Sequence, residues 1–298
     1  MLDCIIIGAG PAGLSAALIL GRCRRRVVIC DAGKPRNRMS NALHGFLTRD
    51  GADPSELLSI AREQLTPYET VELLNISAID AQNTGEGFEV TLADGSTLTS
   101  RKLLLATGVV DRLPDIDGFD RFYGRSVWHC PYCDGWEMRD LPLAVYGKGE
   151  HGKGLALELT VWSKDLVLVT DGPSELNDED LERLSRNQIK VREEEIARLE
   201  GEDGALERIV FKNGESILRR GMFFSTGNEQ GCNLPAQFGC DFTEKGAVKT
   251  GEYEATNIPG LYVAGDASRA VQLVIVAAAE GAQAAFAINT ALLKEDLL

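Results

Sequence analysis

Two glycine-rich turns, each set between an apolar strand-like run and a helix, predict an α/β protein with two Rossmann-like dinucleotide-binding domains of three-layer ββα type. A third observation says how they are joined. A β-meander followed by an apolar strand ending in Thr-Gly occurs twice, so the architecture is duplicated, and the motifs at the two ends of the chain, Gly8 to Gly13 and Gly265-Asp266, must meet one bound ligand, so the second domain is expected to be inserted in the first.

In the first unit Asp3 to Ile7 is an apolar run, Gly8-Ala9-Gly10-Pro11-Ala12-Gly13 turns, Leu14 to Leu20 is helical and Arg26 to Cys30 is β-branched. The second opens at Leu143 to Tyr146 and turns through Gly147 to Gly152. It then continues in a helix from Lys153 to about Trp162 and returns in Leu166 to Val169. Hairpin signals at Gly85-Glu86-Gly87 and Asp94-Gly95 precede the strand Lys102 to Ala106 and Thr107-Gly108. Arg208 to Phe211, Asn213-Gly214 and Gly221 to Ser225 repeat that order before Thr226-Gly227. An alanine-rich helix from about Ala270 to Leu293 closes the chain and must pack on something. The expected division is 1–112 with 229–298 as one discontinuous domain and 113–228 as the other, with hinges at Val109 to Pro114 and Asn228 to Gly231.

At 298 residues and 44% hydrophobic content each domain can bury its own core. No apolar run approaches the roughly 18 to 20 residues that cross a bilayer, and the N-terminus has no export signal, so a cytoplasmic address is expected. A net charge of −14 opposes broad contact with nucleic acid or an acidic membrane face. The cluster Arg22, Arg24, Arg25, Arg26 is the local exception, read as a solvated helix end or a docking patch. Of seven cysteines, Cys4, Cys23, Cys30, Cys232 and Cys240 have no partner at a motif spacing and read as small core or incidental residues.

The first glycine turn follows a strand, opens a helix, and is followed 23 residues after Gly8 by Asp31 at a strand end. In that context Gly8 permits the tight turn, Gly10 lets a pyrophosphate approach the backbone, and Gly13 allows helix–strand contact. Pro11 and Ala12 belong to the same turn, and the helix after it offers unpaired amides and a positive dipole end to the phosphate. Asp31 can accept the adenosine ribose hydroxyls. Gly265-Asp266, after a buried strand and ahead of a helix whose first turn is expected to include Gln272, can hold ribityl hydroxyls. Together these point to FAD.

In His129-Cys130-Pro131-Tyr132-Cys133-Asp134-Gly135 the spacing brings two sulfurs within disulfide reach. A metal site would need two more ligands, and neither a second CxxC nor a paired His motif exists. A helix starting near Cys133 would lower its thiol pKa and suit it to face the flavin, leaving Cys130 to attack an external disulfide. Asp134 can serve as general acid for the departing thiolate or be an ordinary first-turn acid; His129 and His44 are weaker candidates.

These motifs in this order resemble the low-molecular-weight thioredoxin reductases. The resemblance rests on Gly8 to Gly13, Thr107-Gly108, Cys130 to Gly135, Gly147, Gly149 and Gly152, and Gly265-Asp266 with Gln272, and covers nearly the whole chain. It implies a discontinuous FAD domain, a central domain carrying the dithiol, a homodimer, a domain rotation, and a disulfide substrate such as thioredoxin. Where the family carries a basic His-Arg-Arg segment for the NADPH 2′-phosphate, this chain reads Val169-Thr170-Asp171-Gly172-Pro173-Ser174. Asp171, 24 residues after Gly147, is expected to read a free ribose as Asp31 does. NADH, a second FAD, weak NADPH binding, or another donor such as ferredoxin remain open at the second site. His44 to Gly51 and the His-Cys-Pro-Tyr-Cys start resemble a divergent branch that includes dithiol oxidases acting on small disulfide metabolites. A flavin-bearing redox sensor is the reading from another class.

Overall fold

A computed structural model describes residues 1–298 and separates them into two compact units: Met1–Arg38, Gly45–Val110 and Glu229–Leu298, and Met39–His44 with Asp111–Asn228. Met39–His44 departs from the expected division. Met39 lies against Gly124 and His44 faces Glu137, so this excursion packs with the second unit although its flanks belong to the first.

The first unit opens with β1 (Leu2–Ile7), α1 (Pro11–Arg22) and β2 (Val27–Cys30), a parallel pair with a helical crossover. After α2 (Pro54–Glu63), β3 (Val71–Leu74) joins β2 in parallel. An antiparallel meander of β4 (Ala78–Asn83), β5 (Phe88–Leu92) and the long β6 (Thr97–Leu105) follows. The end of β6 pairs parallel with β1, from Cys4↔Lys102 to Ile7↔Leu105, and β7 (Val109–Asp111) leads out.

The second unit repeats the plan. After α3 (Phe119–Phe122), β8 (Val127–Trp128) and α4 (Pro131–Asp134), its crossover consists of β9 (Leu143–Tyr146), α5 (Gly149–Glu158) and β10 (Leu166–Val169). Next come α6 (Asp178–Arg186), β11 (Lys190–Arg192), and a three-stranded antiparallel sheet of β12 (Ile196–Glu202), β13 (Ala205–Phe211) and β14 (Ser216–Leu218). With β15 (Gly221–Phe224) the parallel sheet has the order β11-β10-β9-β15-β8. The chain returns to the first unit in β16 (Asn228–Gln230), α7 (Leu234–Gln237) and β17 (Leu261–Val263), which pairs with β6, and ends in α8 (Val274–Asp296).

Alternation along β1 makes the first unit three-layered. Cys4 and Ile6 face α1 and α8 with Ala16, Leu20, Ala285 and Ile288; Ile5 and Ile7 face Phe88, Val90 and Val263. Each fully buried Leu or Ile contributes about 1.5–3 kcal/mol. α1 and α8 approach closely because Gly281 sits on the Ala12 carbonyl, where a Cβ would collide with backbone.

Several helix starts depart from expectation, and α1 begins at Pro11 and not at Leu14, since proline suits the first helical position. α5 begins at Gly149 and not at Lys153, because the glycine turn itself forms the first helical turn and packing overrides propensity. α8 begins at Val274 after an extended Leu273 and not near Ala270, so Gln272 lies before the helix and not in its first turn. At 23 residues α8 is also long and apolar enough to cross a bilayer, contrary to the expectation that no such run exists. Here it lies on α1 and buries Glu280 on the packed face.

Candidate active site

The first glycine turn is built as an open cradle. Gly8 has φ +104°, and a Cβ there would strike the Ala106 carbonyl; a Cβ on Gly13 would strike Gly8 O. Gly10, the N-cap of α1, has nothing within 4 Å of a Cβ position, which is the space a phosphate needs. Pro11 is the first helical residue and Ala12 is buried behind it.

Asp31 directly follows β2. Its Oδ1 accepts from the Ala9 amide at 3.2 Å and its Oδ2 pairs with Arg62 Nη2 at 2.8 Å. Thr107 and Gly108 follow β6; Gly108 has φ +62° and its carbonyl accepts from Gly231 N at 2.9 Å. Thr107 Oγ1, Gln230 Oε1 and Arg62 Nε are buried with no protein partner. Orphaned polar atoms of this kind need an explanation, and a polar cofactor supplies one.

Beside the glycine turn, Gly265 (φ +84°) turns the chain after β17, and its amide donates to Glu280 Oε2 at 2.8 Å; a Cβ on it would lie 3.1 Å from Ala12 Cβ. Arg269 joins Glu280 to the fully buried Glu254, locking this turn to α8. Burial pushes the Glu280 carboxyl up, opposed by the Gly265 amide and Arg269. Asp266 and Gln272 converge on one guanidinium: Arg36 Nη1 donates to Asp266 Oδ2 at 2.9 Å and to Gln272 Oε1 at 2.7 Å. An open loop, a carboxylate tied to that loop through the Ala9 amide, and orphaned polar groups fit FAD.

Arg36, Arg62, Glu280 and Gln230 escaped the sequence reading. Each acts through a partner from 15 to 236 residues away, or through a buried atom, and carries no motif.

In the second unit Cys130 and Cys133 form a disulfide with Cα atoms 5.3 Å apart. The one-turn helix α4 starts at Pro131 with Cys130 as N-cap, two residues before the expected start, since Pro131 is suited to the first helical position. Helix-start stabilisation of a thiolate therefore does not single out Cys133. Asp134, next to it, is pushed up to about 7 by burial and secondarily by the Glu137 carboxylate. His44 Nε2 lies 3.7 Å from Glu137 Oε1. His129 Nδ1 lies 3.7 Å from the buried Asp111 carboxylate, which also accepts from Tyr123 Oη at 2.7 Å. Tyr132 and Trp136 beside the disulfide are exposed, and Trp162 packs edge-on against Tyr132.

The second glycine turn keeps the tight crossing and loses the opening. A Cβ on Gly147 would lie 2.9 Å from Gly152 Cα, as close packing demands. The Gly149 amide, however, donates to Ser174 O at 2.8 Å, and Glu175 O lies 3.8 Å from a Gly149 Cβ position. Residues 170 to 175 are pinned in turn: Gly172 N donates to Glu193 O, Ser174 N to Glu193 Oε1, and Thr170 Oγ1 to Gly172 O.

Asp171 requires a correction. Ile7 pairs with Cys30 and Tyr146 with Val169, so the position matching Asp31 is Thr170. Asp171 lies one residue further, has φ +49°, and accepts from the Ile196 amide at 2.6 Å. It anchors the turn to β12. Sequence counting missed this because 24 residues against 23 differ by the one that matters. The neighbouring arginine in space is Arg192, whose backbone carbonyl accepts from Thr170 N and whose side chain is held by Glu194 and Glu215. In the basic cluster, Arg22 donates to Tyr68 Oη and Arg25 is tied to Asn289 and Asp296.

Comparison with known proteins agrees with this geometry. The family model for pyridine nucleotide-disulphide oxidoreductases matches residues 2–281. Thioredoxin reductase aclD of Aspergillus oryzae is 31% identical, the alignment spanning 97% of this chain and 95% of that protein. The crystal structure of HlmI superposes with a TM-score of 0.93 at 37% identity, over 99% of this chain and 94% of the other. An oxidoreductase from Agrobacterium tumefaciens gives 0.90 at 32% identity, with 98% of both chains covered. A family match over almost the entire chain, two Rossmann-like units and a CxxC disulfide leave one conclusion: the chain belongs to the pyridine nucleotide-disulphide oxidoreductase family, as a thioredoxin-reductase-like, FAD-dependent oxidoreductase.

Proposed function

We propose that this enzyme exchanges two electrons between FAD held by the first unit and the Cys130/Cys133 pair, and from there with an external disulfide, without NADPH as ready donor. The observation that carries the dithiol role is the disulfide itself, with a carboxyl group poised near neutrality at Asp134. FAD supplies the two-electron chemistry on one side of the exchange. On the other, the Cys130 thiolate attacks one sulfur of the substrate disulfide and breaks its S–S bond, forming a mixed disulfide while the other substrate sulfur leaves as a thiolate and takes a proton from solvent. Cys133 then attacks Cys130 Sγ, re-forming the internal disulfide and expelling the second substrate sulfur. Asp134 gives its proton to that leaving thiolate. The substrate gains two electrons and the cysteine pair loses two.

Support for the donor reading comes from the Ser174 carbonyl on the Gly149 amide and the Glu175 side chain beside it. A phosphate would have to displace both. The same closure favours a second reading, an oxidase in which a small dithiol reduces Cys130–Cys133 and oxygen takes the electrons as hydrogen peroxide. Five free cysteines beside a single redox pair suit a reducing compartment such as the cytoplasm. Exposed Phe286 on α8, packed against Tyr253, supports a homodimer.

An anaerobic titration of oxidised holoenzyme tests the proposal. Dithiothreitol should bleach the flavin in the wild type and not in Cys133→Ser, with one flavin released per chain on denaturation. Stoichiometric bleaching by micromolar NADPH would overturn the donor reading, and two flavins per chain would assign the second site to FAD.

A further inference from the structure

Tyr253 and Glu254 are neighbours, neither of them glycine, with φ of +54° and +65°. Left-handed backbone at such residues persists only where the surroundings over-determine it. Here one arginine does so. Arg269 Nη2 donates to both oxygens of Glu254, at 2.7 and 2.6 Å, and Thr250 Oγ1 donates to Oε2 at 3.1 Å. The Glu254 side chain is 1% exposed.

Arg269 also reaches the other way. Its Nε donates to Glu280 Oε1 at 2.5 Å, and Glu280 Oε2 accepts from the Gly265 amide at 2.8 Å. The chain of contacts from the left-handed turn through the guanidinium to α8 therefore ends on the residue before Asp266. Stability does not account for it. Replacing a buried ion triad by apolar residues of similar volume is often neutral or stabilising, and two left-handed side chains add strain. What the triad supplies is direction. Apolar contacts such as those of Ala277, Ala284 and Ile288 on the same face of α8 are non-directional, whereas the bond from the Gly265 amide to Glu280 fixes an angle.

We propose that Arg269 is a positioning residue of the cofactor site: braced on the Tyr253–Glu254 turn, it holds Glu280 on the Gly265 amide and so sets the Asp266 carboxylate for the ribityl hydroxyls. That role rests on FAD occupying the first unit, with Asp266 on its ribityl chain. Arg269 acts through Asp266.

The test is binding to flavin-free protein, read by calorimetry with FAD and separately with ADP, which has neither flavin nor ribityl chain. Asp266→Asn should weaken FAD about tenfold. Arg269→Gln should weaken FAD by a similar factor and leave ADP within about threefold of wild type, whereas a general loosening of the fold would weaken both. In protein already carrying Asp266→Asn, Arg269→Gln should cost FAD less than about a further threefold, because one residue acts through the other. An unchanged melting temperature of flavin-free Arg269→Gln shows that the loss is not unfolding. If that variant melts early, Glu254→Gln decides: a loss of about three- to tenfold for FAD and none for ADP supports the role, and no loss for either overturns it. Equal losses for FAD and ADP, FAD binding by Arg269→Gln within about threefold of wild type, or losses that add in full in the double variant overturn the proposal. FAD binding untouched by Asp266→Asn would take the ribityl assignment down and the role with it, and wild-type protein that binds ADP and no FAD would take down the cofactor reading as well.

Discussion

The two glycine loops share spacing, flanking elements and strand register, yet one is open to a ligand and the other is shut by its own chain. In both, the first and third glycines sit where a Cβ would collide with backbone, Gly13 on Gly8 and Gly152 on Gly147. The middle glycines differ. Gly10 faces open space, whereas the Gly149 amide is bonded to Ser174. The outer glycines thus serve the strand–helix crossing, which a fold needs with or without a nucleotide. Only the middle position, and what lies over it, reports on binding.

The largest expected effect tests what the second unit does if its loop is not a nucleotide site. Asp134→Asn should slow disulfide exchange by roughly 100- to 10,000-fold, the usual range for losing a general acid. In the wild type the exchange rate should hold below about pH 6 and fall as pH rises through about 7, where burial has raised this carboxyl from 3.8. The variant should lack that limb. Linkage adds a stability effect to the same shift. A folded-state pKa above the unfolded one means stability is full below about 4 and is lost as pH rises through about 7. Asp134→Asn should therefore be more stable than wild type at pH 8 while less active. Chemical denaturation at pH 5 and pH 8 checks this, and a wild-type stability independent of pH over that span contradicts it.

A smaller effect separates the crossing role of the glycines from the binding role. Gly13→Ala and Gly152→Ala each place a methyl on backbone that cannot yield, so each should cost roughly 3 kcal/mol, at the upper end for overpacking. Gly13→Ala should also empty the protein of FAD, and Gly152→Ala should leave one flavin per chain. Flavin loss in both variants would mean that the loops are not functionally distinct.

The loops, the strands around them and the CxxC were legible because each is local: period-2 apolar runs, glycines at fixed offsets and two cysteines three apart. Closure of the second loop was not. It depends on Gly172, Ser174 and Glu193, which meet only after β11 is in place, and residue types of that kind occur in any surface turn. Arg36 was hidden for the same reason, its partners Asp266 and Gln272 lying more than two hundred residues away. The raised Asp134 carboxyl could not be read either, since its main cause is burial, which a sequence does not state. Length counting misled at Asp171, where the strand register and not the interval from Gly147 decides which residue matches Asp31.

The smallest expected effect tests that last correction. Asp31 and Asp171 are both aspartates just beyond the second strand of a crossover, but Asp31 accepts from the loop amide of Ala9 and Asp171 from Ile196 at the start of β12. Asp31→Asn keeps an acceptor for Ala9 and loses the charge that strengthens bonds to a ribose hydroxyl. FAD affinity should fall about tenfold, or about 1.4 kcal/mol. Asp171→Asn keeps an acceptor for Ile196 and removes a charge that would repel a 2′-phosphate if it faced one. Because it is engaged in its own turn, the substitution should change NADPH affinity by less than about threefold and stability by under about 1 kcal/mol. Equilibrium titration of both variants with FAD and NADPH separates the two roles. A gain of about tenfold or more in NADPH binding by Asp171→Asn would mean that the carboxylate does guard a working nucleotide site. The cap over Gly149 would then be a segment that opens when a nucleotide arrives, and the two loops would differ in degree and not in kind.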